Sequence, residues 1–296
     1  MDKTPAVPSG MLATGTMKDA PHSNGGPDAG RQPDETAGPW RTLGALRVRG
    51  PLVHNITNFV AMDLAANLLL AAGALPAMVH AIEEVEDTVE AADALTINIG
   101  TLSPGWVDAM AAAARKAVEA GRPWVLDPAG AAATDHRRRI AERLAHLQPT
   151  VIRGNGSEIL ALGAGEAPAR GVESEVDSAE ALDAAHDLAK ATGAIVAVTG
   201  AVDYVTDGRG LAAVTNGDVL MTKVTAVGCA LTCLIGACCA VNSDHMTATA
   251  HALAILGLAG ELAAEEARGP ASFRTRLIDA LYNLDEATLT AGARIQ

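Results

Sequence analysis

The sequence predicts an α/β protein: one three-layer domain with helices covering both faces of a mostly parallel sheet. Two observations lead there. Short runs rich in Val, Ile and Leu alternate with longer Ala-rich segments of helical period. Two of the short runs, TINIG at 96–100 and WVLD at 124–127, are near-continuously apolar, as strands buried on both faces are.

Residues 1–40 hold six prolines and six glycines without an apolar run or a hydrophobic period. They read as a disordered extension without a signal peptide, so the domain is expected over 41–296. Strands are expected at 52–56, 75–79, 95–99, 123–126, 150–152, 194–198, 203–206 and 211–214. Helical periods fall at 60–72, 105–120, 137–147, 178–191 and 245–266. The runs at 203–206 and 211–214, split by Thr206-Asp207-Gly208-Arg209-Gly210, read as an antiparallel hairpin added to the sheet. Residues 224–243 carry no charge and are long enough to be a membrane-span candidate. Two glycines, two threonines, Asn242 and Ser243, without flanking basic clusters or aromatic belts, favour a buried helix entered from a loop.

Hydrophobic residues make up 49% of the 296 and aromatics only 2%, so the core must be built from Ala, Leu, Val and Ile. The net charge of −13 leaves no basic footprint for nucleic acid beyond Arg137, Arg138 and Arg139. An anionic ligand must therefore be met locally, by a few arginines, a metal or a helix N-terminus. The four cysteines, Cys229, Cys233, Cys238 and Cys239, crowd into one stretch and read as thiols of a reducing cytoplasm.

In an open α/β sheet, ligands bind beyond the carboxyl ends of the strands. Polar, glycine-flanked groups follow strand after strand: His54–Asn58, Gly100-Thr101, Asp127–Gly130, Arg153–Glu158 and Thr199-Gly200. Asp127 and Glu158 are carboxylates of the kind that organise Mg²⁺, or else a loop cap and a favourable helix start. Arg153 suits a phosphate as a planar fork, or is an ordinary surface arginine. Lys223–Cys229 is a loop of small residues feeding the uncharged helix, which aims unpaired N–H groups and a positive dipole end at one spot. In that first turn Cys229 is either an activated thiolate or a small buried hydrophobe. The other three cysteines read as packing, and the histidines, His80 and His146 among them, receive no role.

These segments together resemble the hydroxyethylthiazole kinases of thiamine salvage, within the ribokinase-like superfamily. The matching pieces are PLVHNITNFVAMDLAANLLLAAGALPAM (51–78), LTINIGTLSP (95–104), VLDPAGAAAT (125–134), IRGNGSEI (152–159), VAVTGAVDYVTDG (196–208) and MTKVTAVGCALT (221–232). The resemblance implies a three-layer ribokinase-like fold and ATP-dependent phosphorylation of the hydroxyl of 5-(2-hydroxyethyl)-4-methylthiazole, with Mg²⁺. Carried over by position, it implies ATP contacts at Arg153 and Thr199 and substrate contacts at Met78 and Ala226. It further implies metal organisation by Asp127 and Glu158 through water, and an anion hole from the backbone N–H groups of Val227, Gly228 and Cys229. Cys229 takes the place of the superfamily's aspartate base. A cytoplasmic homotrimer with sites between subunits is implied as well.

One departure is specific. The family reads Gly-Thr-Gly-Cys or Gly-Ala-Gly-Cys before the helix, and this chain reads Ala226-Val227-Gly228-Cys229. If position 226 needs a positive φ, its alanine costs on the order of 1 kcal/mol. The same fold serves dehydratases that repair hydrated nicotinamide cofactors, and an altered loop also fits a binding protein with little catalysis.

Overall fold

The computed structural model describes residues 38–163 and 177–296. The extension expected over residues 1–40 lies outside them up to residue 37. Its last two residues, Pro39 and Trp40, already belong to the first helix, α1 (Pro39–Arg49).

Eight strands form one sheet: β1 (Leu52–Ile56), β2 (Leu75–Ala77), β3 (Ala94–Asn98), β4 (Trp124–Asp127), β5 (Val151–Asn155), β6 (Ile195–Thr199), β7 (Asp203–Thr206) and β8 (Leu211–Val214). Their order is β2-β1-β3-β4-β5-β6-β7-β8. The first six run parallel, and β7 and β8 are antiparallel, as the hairpin signal predicts. Every residue of β3 and β4 is buried, which is why their sequences do not alternate.

One face of the sheet is covered by α1, α2 (Met62–Ala72), α8 (Val227–Val241), α9 (His245–Glu266), α10 (Pro270–Asn283) and α11 (Glu286–Gly292). The other is covered by α3 (Val85–Ala91), α4 (Pro104–Glu119), α5 (Asp135–Ala145), α6 (Gly156–Gly163) and α7 (Leu182–Thr192). This is the three-layer α/β fold that the alternating pattern predicts. Small residues let the layers approach. A Cβ on Gly236 of α8 would lie 2.6 Å from Thr96 Cγ2 on β3, so only glycine lets this helix sit so low on the sheet.

The uncharged stretch 224–243 yields a helix of only 15 residues, α8, buried along most of its length. At 1.5 Å per residue that is about 22 Å, short of a bilayer core of roughly 30 Å. The longer α9 meets the length and composition of a span, but 78% of its apolar window is buried inside the protein, so it serves as a core helix.

Candidate active site

Parallel pairing brings the ends of β1, β3, β4, β5 and β6 to one edge, with Asn98 beside Asp127 and Asn155 beside Thr199 in register. Some groups expected just past the strands lie within them: His54 and Asn55 in β1, Arg153 to Asn155 in β5.

Arg153 is no surface arginine. Its side chain is 11% exposed, Nη2 donates to Thr199 Oγ1 at 2.7 Å, and Nη1 stands 3.6 Å from Asp127 Oδ2. The guanidinium lies across the start of α8: a Cβ on Gly228 would meet Nη2 at 2.8 Å and Nη1 at 2.9 Å. Its Nε is buried and finds no hydrogen-bond partner among the described residues.

Asp127 is buried and accepts from Thr232 Oγ1 at 2.8 Å. Glu158 accepts from the Gly130 N–H at 2.8 Å and the Asn155 N–H at 2.9 Å, while Asn155 Oδ1 accepts from the Glu158 N–H at 2.9 Å. This reciprocal pair is a capping box that starts α6 and fixes the carboxylate rigidly. Burial, and then the nearby Asp127 charge, push the Glu158 carboxyl up to about 7. Burial likewise raises Asp127, against the opposing pull of Arg153. Two buried carboxylates thus share one guanidinium, an arrangement short of positive charge.

The start of α8 is strained. Ala226 caps the helix with φ 69° and ψ 4°, the left-handed conformation that the missing glycine would take freely. Its carbonyl accepts the first helical N–H, from Ala230, at 2.9 Å. The opening N–H groups of Val227, Gly228 and Cys229 have no intrahelical acceptor by helix geometry. Cys229 is half-buried, and its sulfur accepts from Asn58 Nδ2 at 3.3 Å. Burial, reinforced by the Asp127 charge, pushes its thiol up to about 11. Of the two readings of Cys229, this favours the buried thiol over the activated thiolate, because desolvation holds the sulfur toward its protonated form.

Among the expected site residues, Asp127, Arg153, Thr199 and Gly228 form one connected group, with Glu158 and Cys229 close enough to feel the Asp127 charge. Met78 stands apart, half-buried just after β2. Its carbonyl faces one ring nitrogen of His80 at 3.1 Å, and the other ring nitrogen faces the carbonyl of Thr57 at 3.3 Å. His80, given no role from sequence, also stacks on Trp106 at 4.3 Å. Thr232 was missed as well. Its signal was a polar residue one turn beyond Gly228 in an otherwise apolar helix.

The profile of the Hydroxyethylthiazole kinase family matches residues 43–287. The chain belongs to the hydroxyethylthiazole kinase family. It is 52% identical over 261 residues to a hydroxyethylthiazole kinase of Zea mays, covering 86% of this chain and 92% of that protein. With one from Rhizobium etli (strain ATCC 51251 / DSM 11541 / JCM 21823 / NBRC 15573 / CFN 42) the identity is 54% over 254 residues, covering 86% and 98%. The solved hydroxyethylthiazole kinase protein of Pyrococcus horikoshii OT3 superposes with a TM-score of 0.81 at 44% identity, covering 87% of this chain and 98% of that one. Bacillus subtilis pyridoxal kinase, solved as an ADP complex, shares only the fold, at 16% identity and a TM-score of 0.55 over 71% of this chain and 91% of that one. The sequence resemblance and the three-layer family fold are thereby borne out.

Proposed function

We propose that this chain transfers the γ-phosphoryl group of ATP to the primary hydroxyl of 5-(2-hydroxyethyl)-4-methylthiazole, releasing ADP. The observation that carries this reading, beside family membership, is the Arg153 guanidinium laid across Gly228 between Thr199 and Asp127. It puts a fixed positive fork at a helix N-terminus, where phosphate oxygens are stabilised.

The acceptor oxygen forms a bond to the γ-phosphorus as the bond from that phosphorus to the β,γ-bridging oxygen breaks, and the hydroxyl proton leaves to water. The transition state is loose, so alignment and charge matter more than a strong base. This suits a neutral Cys229, which directs the hydroxyl instead of deprotonating it. The N–H groups of Val227, Gly228 and Cys229 receive the transferring oxygens, Arg153 meets the β- and γ-phosphate charge, and Thr199 holds Arg153. Met78 and Ala226 border the thiazole.

Asp127 and Glu158 suit Mg²⁺. They are two buried carboxylates held toward protonation with one guanidinium, that of Arg153, near enough to act on both, and each Glu158 oxygen accepts a single N–H. Among the described residues no three ligating side chains converge, in keeping with Mg²⁺ held largely through water and phosphate. When bound, the cation would neutralise charge on the β- and γ-phosphate oxygens.

A cytoplasmic homotrimer with sites between subunits is part of the same reading. Its support is the exposure of Phe59 (68%) and Val60 (58%) directly after Asn58, apolar surface that a neighbouring subunit would cover. The test is a panel of small alcohols with ATP and Mg²⁺. The thiazole alcohol is expected to give the highest kcat/KM by at least tenfold, and a better acceptor of another class would displace this reading.

A further inference from the structure

The loops after β1 and β3 hold two buried asparagines, Asn58 and Asn98, whose amide orientations are fixed by the backbone. Asn98 Oδ1 accepts from the Gly100 N–H at 2.8 Å. A backbone N–H can only donate, so this end of the amide is the oxygen. Asn58 Oδ1 likewise accepts from the N–H groups of Val60 and Ala61, each at 3.0 Å. Its Nδ2 must then face inward, where it donates to Asn98 Oδ1 at 2.8 Å and to Cys229 Sγ at 3.3 Å.

A chain of donors therefore runs from the N-terminus of α2 to the sulfur. The other end of that amide, Asn98 Nδ2, is buried on the residue paired in register with Asp127, close enough to the Asp127 carboxylate and the Cys229 sulfur to favour their charged forms. The chain also excludes a side chain at position 100, where a Cβ would lie 2.8 Å from Asn58 Nδ2 and 2.9 Å from Asn98 Oδ1.

We infer that Asn98 is a positioning residue that, by holding Asn58 against the Cys229 sulfur, turns the thiol hydrogen toward the acceptor alcohol. The inference rests on the proposed phosphoryl transfer. With one sulfur lone pair taken by Asn58, the S–H bond points away from that amide and is free to donate to the alcohol oxygen. Cys229 then acts as a hydrogen-bond donor, consistent with a thiol that burial keeps protonated.

Two measurements test it. In a double-mutant cycle, Asn98→Leu, which keeps the branched outline and removes the amide, is expected to lower kcat at least tenfold without changing the KM for ATP. In a Cys229→Ala background the same change is expected to cost less than about twofold, because the residue it positions is gone. Losses that multiply in the cycle, or wild-type turnover in Cys229→Ala alone, would overturn the inference. Gly100→Ala, which pushes on the same amides with one methyl group, is expected to reproduce the pattern if Asn98→Leu folds poorly. The second measurement needs no turnover: alkylation of Cys229 by iodoacetamide at pH 9, followed by mass spectrometry. Withdrawing the Asn58 donor disfavours the thiolate, so Asn98→Leu is expected to label severalfold more slowly. A merely structural role would open the pocket, and equal or faster labelling would overturn the inference. A wild-type protein that leaves the thiazole unphosphorylated would sink the functional reading, while the labelling comparison still decides the asparagine relay.

Discussion

Ala226 holds a backbone conformation that costs a residue with a Cβ about 1–2 kcal/mol. Replacing it with glycine is expected to stabilise the protein by roughly 1 kcal/mol, less the extra chain entropy of glycine. Chemical denaturation measures this directly, and an unchanged midpoint would mean the loop carries no strain. Turnover should rise or stay level, since the N–H groups of α8 keep their direction. At Cys229, the Ala variant is expected to lose at least tenfold in kcat, while Asp should retain activity by accepting the hydroxyl proton. The sequence shows the unusual alanine and the cysteine, because both sit in a motif of fixed spacing. It cannot show the state of the thiol, which depends first on burial and then on Asp127, a residue distant in sequence.

The elements were legible where their periodicity was long. The eight apolar runs became eight strands, and α9 spans the interval expected from its pattern. Short or polar elements were not legible: α3 has seven residues, α6 has eight and begins with its own capping box, and the end of β5 is the polar Arg153-Gly154-Asn155. Tertiary pairing with β6 keeps that end in the sheet, against local propensity. Two close approaches of α8 give opposite expectations for the same substitution. Gly236→Ala, against Thr96, is expected to destabilise by about 1–3 kcal/mol through overpacking, with kinetic constants unchanged in the folded fraction. Gly228→Ala, against Arg153, is expected to raise the KM for ATP at least tenfold with a smaller effect on stability. A thermal melt and a steady-state assay separate the two, and an unaltered KM in Gly228→Ala would remove Arg153 from the phosphate site.

Across the whole molecule, buried ionisable groups set the response to pH. Burial lowers His54 and His251 from 6.5 to about 4, so the native state favours their neutral rings. Each contributes stability that is complete above pH 6.5 and lost as pH falls through 4, up to about 3 kcal/mol at 1.36 kcal/mol per unit. Glu158 and Asp203, raised to about 7 and about 6, act in the opposite sense, so the clean observable is a difference between variants. His251→Gln can still pair with Thr42, which lies 2.8 Å from the ring nitrogen in the wild type. Its stability gap to wild type is expected to shrink between pH 6.5 and 4, and a gap constant with pH would contradict the burial account. In solution, light scattering is expected to give three times the chain mass of 30.1 kDa. The charge of −13, which from composition alone only excluded nucleic acid, makes a concentrated phosphate site necessary. Single-turnover transfer from γ-labelled ATP, with Mg²⁺ and the thiazole alcohol, tests that site most directly. The account predicts label in thiazole phosphate, with the rate falling at least a hundredfold in Arg153→Ala. Label appearing only as inorganic phosphate, or an Arg153→Ala rate equal to wild type, would contradict it.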